Sequence, residues 1–378
     1  MDGRIETLRC VLLRVPLAEP ITGPFGRLTA RPNLIAVVET SAGVRGIGEI
    51  WANFPPWGAA ERAAVVEAAI RPMLVGETLD DPGRLHGRMH AGLRLLANQW
   101  GAPGPVHQAI AGVDIALWDA FARQLGRPLA AILRADGRLP DRLPVYASGI
   151  RADAPATIAS ARARGHRRFK LQTAFSVAAN RILLREGREA AGDAPLMTDA
   201  NQTFNVGTLA ALREDLQAAR VLWVEEPFPV DDIAAYRAWP RDMGLSLAFG
   251  ENARGLTGLE EVIAMGADVV QPDITKTAGI TEGLRIGQRV VEAGRRLCLH
   301  MYGGGLGVIA SAHLTAAIDG ADWLETDSND NPLYREVFAP ALRIEAGDLI
   351  MPTGPGLGVA LRDDAIARYG ADAWEMTR

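Results

Sequence analysis

Lysine is almost missing from this chain. Of its 40 basic residues only Lys170 and Lys276 are lysines, and Arg serves every other cationic position. A lysine kept in such a background points to a need for what Arg lacks, a compact ammonium whose pKa can shift. Cysteine is equally scarce: Cys10 and Cys298 exclude a disulfide framework. Cys298 lies in an apolar run and reads as a small buried hydrophobe, so a reducing cytoplasm is the default compartment. No apolar run reaches the length of a transmembrane helix, and the start, MDGRIETLRC, has charges where a signal peptide would carry its apolar core. An excess of basic charge is missing too. The net charge of −5 and pI near 5.8 exclude the footprint of a nucleic-acid partner and a polybasic membrane-surface protein.

What is present is ordinary in bulk and specific in pattern. The 378 residues, 48% hydrophobic and 22% charged, suit two domains or one barrel with an attached domain. Residues 4–18 and 33–51 alternate as strands do, with a Gly-rich turn at SAGVRGIGE. Residues 59–75, 81–97 and 106–124 read as helices, the last ended by the GRP at 126–128. Residues 1–125 therefore form an α+β unit.

From residue 143 the pattern changes. Short apolar runs that end in polar residues recur at 143–149, 167–172, 195–201, 221–227, 245–252, 268–273, 296–301 and 322–327, with helix-like segments between them. The polar residues near the run ends follow one another every 22–29 residues, the length of a strand, a helix and two short loops. Eight such strands make an α/β barrel of the TIM type over 126–350, with 351–378 returning to the first unit. An open doubly wound sheet is the runner-up, but ASGIRADAP is not the Gly-rich turn such a sheet carries after its first strand.

In a barrel of this kind the chemistry sits at the C-terminal strand ends. Three successive ends present Asp199, Glu225 and Glu251. A single acid there reads as a helix cap or a surface charge, but three converging carboxylates repel one another unless a cation is held. Hard oxygen ligands suit Mg²⁺. Glu226 adjoins Glu225, and strand alternation points only one of the two inward; Glu225 is the choice. The next ends carry Asp273 and His300, a carboxylate that orients an imidazole as a general base. The other five histidines read as structural or surface groups. Lys170 and Gln172, two apart on the second strand, both face inward. Asn201 follows Asp199, and Glu325 ends the last strand as a fourth acid near the substrate, able to donate a hydrogen bond if protonated. The GGGLG run at 303–307 lacks the context of a nucleotide fingerprint and reads as backbone N–H groups offered to an anion.

These motifs resemble the enolase superfamily, mandelate racemase subgroup, over nearly the whole chain. VDIALWDAFARQLGRPLAAIL resembles its helix at the domain junction, and FKLQ stands where the family has Lys-x-Lys. TDANQ, WVEEP and FGEN resemble its three ligand motifs. QPDITKTAGIT and LCLHM resemble its Asp–His strands, WLET its last acid, and PTGPGLGVAL its C-terminal signature. The resemblance implies a modified (β/α)7β barrel with an N-terminal capping domain, Mg²⁺ on Asp199, Glu225 and Glu251, and proton abstraction next to a substrate carboxylate, the Lys-or-His-plus-Mg²⁺ pattern for which this superfamily serves as a general example. It also implies a homo-oligomer, and loops of the capping domain around 20–27 and 51–58 that close over the barrel mouth, with Phe25, Arg27, Trp51 and Phe54 as contacts. Gln172 departs from the family, whose second lysine is a base; an amide cannot take a proton at neutral pH. Lys276 does not replace it, since its place resembles the lysine beside the sixth strand. Asp273 occupies the position of the base lysine of lactonising and epimerising members. The expectation is dehydration of a sugar acid, aldonate or aldarate, by His300 alone. Racemisation or epimerisation of a 2-hydroxy acid, and a catalytically silent binding barrel, are the alternatives.

Overall fold

A computed structural model describes residues 3–23, 26–55, 57–151, 153–329 and 331–372. The first unit is built on β1 (Ile5–Gly23), β2 (Gly26–Thr40) and β3 (Arg45–Ile50), an antiparallel meander. Residues 18–32, expected as connection, are largely strand: Ile21 pairs with Leu28, Thr22 with Arg27 and Gly23 with Gly26, after an irregularity between Pro16 and Ile21. Residues 20–23 and 26–27 of the expected covering loop are thus paired strands of a long hairpin. Its backbone groups pair with each other, which single-chain alternation does not reveal because both faces are partly exposed there.

Helical turns over 58–74 and the helices Pro82–Trp100 and Pro103–Gln124 pack on this sheet. The last approaches β3 with no room for side chains: a Cβ on Gly48 would lie 2.1 Å from the Gly112 carbonyl oxygen. Two acids on this helix dock it outward. Asp114 accepts from the Thr281 N–H (2.8 Å) and hydroxyl (2.7 Å), and Asp119 from the N–H groups of Ile47 (2.9 Å) and Leu357 (2.7 Å). Both are fully buried. The junction helix is acidic inside because it supplies acceptors to three otherwise separate segments.

The second unit holds eight parallel strands: β4 (Arg142–Ile150), β5 (Phe169–Gln172), β6 (Leu196–Asp199), β7 (Trp223–Glu225), β8 (Ser246–Phe249), β9 (Val269–Val270), β10 (Arg296–Leu297) and β11 (Leu324–Asp327). They pair in sequence order. β11 returns to β4, and a Leu299–Leu324 bridge joins the remaining gap, so the sheet closes as a barrel rather than staying open. Tyr146, Met197, Trp223, Ala248 and Val269, one from each of five strands, form a separate buried cluster with Cys298, which directly follows β10. Period-two alternation brings such residues together inside a barrel, and Cys298 is there the small hydrophobe its context suggested. After the barrel, Ala360–Leu361 pairs with Phe338–Ala339, and Gly370–Ala371 pairs with β1. Among the described residues no helix is long and apolar enough to cross a membrane.

One core histidine ties these parts together. The Ala130 N–H donates to Nδ1 of His313 (3.2 Å), and His313 Nε2–H donates to the Leu357 carbonyl (3.2 Å). Burial lowers its pKa to about 4, below the ordinary value near 6.5. The unfolded chain therefore takes up the proton first as pH falls. The stabilising contribution is complete above about 6.5 and is lost toward pH 4, up to about 3 kcal/mol. Urea unfolding between pH 7 and 4.5 is expected to show this loss, and His313→Gln to make it shallower, while His166 and His90, whose pKa values burial also lowers to about 4, keep their share. An unchanged slope would remove His313 as the cause.

Candidate functional site

The strand ends converge on a cavity of about 290 Å³ between the barrel mouth and the capping unit. Ile21, Gly23, Trp51 and Phe54 enter from the cap, and Ser148, Arg151, Gln172, Asp199, Asn201, Glu251, Lys276, His300, Tyr302 and Glu325 from the barrel. Arg27, expected here, is exposed on the hairpin and does not line the cavity, because pairing with Thr22 sets its place on the strand. Phe25 lies outside the described residues. Trp51 packs under Lys276, whose Nζ stands 5.0 Å from the ring centre.

Register carries the acids together. Gln172 is beside Asp199, and Asp199 beside Glu225, across β5, β6 and β7. Lys170 is fully buried in their midst, with Nζ 2.5 Å from Glu225, 2.9 Å from Glu325 and 3.6 Å from Asp199. Burial alone would lower its pKa; the surrounding carboxylates, Glu225 foremost, hold it well above the usual lysine value. Glu225 also accepts from the Gln271 amide (2.5 Å). Burial lifts the Glu225 carboxyl to about 8, against the pull of Lys170 and with the repulsion of Asp199. Glu226 is buried as well, but it turns away to Asn252 (2.8 and 3.1 Å) and Gln202 (3.1 Å). That turn needs a left-handed backbone, φ 36° at Glu226. Asn201 and Gln202, after the neighbouring strand, share the conformation at φ 42° and 64°. Such geometry is costly for residues with a Cβ and concentrates at sites.

His300 Nδ1 lies 2.8 Å from Asp273, and its Nε2 lies 2.9 Å from Glu251. Burial opposes its charge, yet Glu251 and then Glu325 hold the imidazole well above its ordinary pKa. Lys276 reaches the same Glu251 at 2.9 Å. Gln172 donates to the Asn201 side-chain oxygen, and Asn201 in turn donates to both Asp199 oxygens (2.8 and 2.9 Å). Glu325 accepts from the Tyr146 hydroxyl at 3.3 Å and faces Lys170, so it is an acceptor in this arrangement rather than a donor.

Each of the three expected metal-binding carboxylates is turned to a protein donor: Asp199 to Asn201, Glu225 to Lys170 and Gln271, and Glu251 to Lys276 and His300. In this arrangement they do not bring one oxygen each within 4.8 Å of one another. Their chemistry nevertheless fits a hard divalent cation: three buried carboxylates, raised pKa values at Asp199 and Glu225, and mutual repulsion.

Three features escape sequence reasoning. Arg151 lines the cavity just beyond β4, beside Gly23 of the hairpin tip. Tyr302 lines it after β10, beneath the buried Arg31 that pairs with Asp327. The N–H groups of the GGGLG run are taken by the Glu49 carboxyl of the cap, to which Gly304 (2.6 Å) and Gly307 (2.8 Å) donate; burial lifts that carboxyl to about 7. The helix start thus docks one domain on the other.

The sequence comparisons agree with this architecture. Residues 5–133 match the mandelate racemase/muconate lactonizing enzyme N-terminal domain, and residues 153–365 match the domain described as enolase C-terminal domain-like. The chain belongs to the enolase superfamily, mandelate racemase subgroup. Members of this superfamily are enzymes. A mandelate racemase/muconate lactonizing enzyme from Bordetella bronchiseptica RB50 superposes with a TM-score of 0.87 at 35% identity, over 97% of this chain and 99% of that one. The L-talarate/galactarate dehydratase of Salmonella typhimurium is 29% identical over 96% of this chain and 90% of its own length. The D-galactarolactone cycloisomerase of Agrobacterium fabrum is 27% identical over 97% and 98%. The similar proteins thus include both a dehydratase and a cycloisomerase.

Proposed function

We propose that the protein dehydrates a sugar acid to a 2-keto-3-deoxy acid, with His300 as the single acid/base. The observation that carries this reading is that His300, oriented by Asp273, is the sole imidazole among the cavity's described lining residues, while an amide, Gln172, stands where the family places a second base. Asp199, Glu225 and Glu251 are the residues to hold Mg²⁺, which when bound supplies a Lewis acid for the substrate carboxylate.

His300 Nε2 takes the proton from the carbon next to the carboxylate. The bond between the neighbouring carbon and its hydroxyl then breaks, and the imidazolium proton leaves with that hydroxyl as water. The resulting enol takes a proton from solvent to become the keto acid. Lys170 fixes Glu225 and Glu325 and offers its charge to the developing carboxylate charge. Asp273 keeps Nδ1 of His300 as the donor nitrogen, so Nε2, which faces Glu251 at 2.9 Å here, is the nitrogen that meets the substrate proton once Glu251 is drawn away from it.

Screening aldonates and aldarates for keto-acid formation, in D₂O, tests the reading. Deuterium entering the substrate without a keto product would instead favour epimerisation. Binding without proton exchange for every acid in the panel would favour a binding role.

Arg151 supports a diacid among these substrates. Its guanidinium sits at the cavity wall formed by β4 and the hairpin tip, where a second carboxylate could pair with it. The two relatives named for galactarate, talarate and galactarolactone chemistry fit the same class. Arg151→Ala is expected to raise KM for an aldarate about 10- to 100-fold and to leave an aldonate of equal length nearly unchanged. Equal effects on both acids would remove this assignment.

A further inference from the structure

Three of the chain's six histidines gather away from the barrel mouth, on the seam between cap and barrel. His86 and His90 stand four residues apart on the Pro82–Trp100 helix, the spacing that puts two side chains on one helix face. Their rings are 4.6 Å apart, and the ring of His107, from the Pro103–Gln124 helix, stands edge-on to His90 at 5.0 Å. Glu282 comes from the barrel side, on the Gly279–Glu292 helix. Among the described residues, only His86, His90 and Glu282 bring one ligand atom each within 4.8 Å of one another.

The separations favour a shared ion over a direct bond. His90 Nε2 lies 3.5 Å from Glu282 Oε2, beyond a good hydrogen bond. A tetrahedral Zn²⁺ with bonds of about 2.1 Å sets neighbouring ligand atoms about 3.4 Å apart. Glu282 is already oriented: its Oε1 accepts the Leu256 N–H at 2.8 Å, while its buried Oε2 accepts no hydrogen bond from any described residue. His107 Nδ1 is 2.7 Å from the Pro103 carbonyl and donates to it, the kind of bond that fixes a ligand tautomer.

We propose that His86, His90 and Glu282 form a second cation site, for Zn²⁺ or another divalent ion that favours imidazole, and that the ion pins the capping helix to the barrel. Two imidazoles and a carboxylate are a ligand set for zinc rather than for magnesium. The site is separate from the barrel carboxylates and does not depend on what reaction they serve.

The test uses the full chain, stripped with chelator and re-equilibrated with excess Mg²⁺, then titrated with Zn²⁺ by calorimetry and followed by thermal unfolding. The expected result is one equivalent of Zn²⁺ that raises Tm. Affinity should fall at least about tenfold in His90→Gln and in Glu282→Gln, and persist in Glu225→Gln. Two variants on different helices guard against a folding defect in either. Co²⁺ bound in place of Zn²⁺ should show tetrahedral d–d absorption in the wild type that both seam variants lose. Zn²⁺ binding that the seam variants leave unchanged, or that Glu225→Gln alone removes, would overturn the proposal, as would no Zn²⁺ binding at all.

Discussion

His300→Asn is expected to lower kcat by about 10³- to 10⁴-fold, the upper range for removing a positioned general acid/base. The substitution should leave the fold in place, because an amide retains a donor toward Asp273, which also accepts from the Thr275 N–H (2.8 Å) and hydroxyl (2.7 Å). Keto-acid formation and α-proton exchange in D₂O should fall together, since both begin with proton removal at Nε2. Their joint loss separates a one-base enzyme from a two-base one. A second base would go on exchanging the proton from the other face, and Gln172 offers none. Retained exchange in His300→Asn would sink the one-base reading while leaving the fold assignment intact. The reciprocal change, Gln172→Lys, places an ammonium beside Asn201 and Asp199 and asks whether exchange on the second face appears.

The barrel was legible because its interior and its rim are chemically different. Strand interiors are apolar and the polar residue ends each run, so Asp199, Glu225, Glu251, Asp273, His300 and Glu325 mark the rim by their spacing. All of these except Glu225 and Asp273 line the cavity directly; Glu225 lies under it against Lys170, and Asp273 behind His300. The neighbouring Glu226 shows how little separates a rim acid from a supporting one. Only the left-handed turn at its own φ decides that it faces Asn252, and no run of residue types specifies that turn. What stayed hidden depends on pairs far apart in sequence. Arg31 meets Asp327 across 296 residues, and Glu49 meets Gly304 across 255. Neither end carries a local pattern that names the other. The paired strands at residues 20–23 and 26–27 were read as loop for a related reason: they satisfy each other, so their alternation records no buried face. Arg151 was passed over because one arginine among so many has no distinguishing context until the hairpin tip comes to lie beside it.

Lys170→Met carries the second large effect, and it tests why this chain keeps a lysine at all. The side chain is 1% exposed and sits against Glu225, Glu325 and Asp199. Methionine preserves most of the volume but leaves those carboxylates without their cation. Removing one partner of a buried ion pair costs about 3–5 kcal/mol, because the remaining charge is uncompensated. Urea unfolding in EDTA is therefore expected to show a loss of that size, together with loss of turnover. Adding Glu325→Gln removes one of the stranded charges, so the double variant should recover part of the stability and none of the activity. That split separates charge balance from packing: a packing defect would persist in the double variant. If Lys170→Met unfolds at the wild-type urea concentration, the carboxylates must be neutral in the folded chain. The account of Lys170 as the charge partner of these carboxylates would then fail.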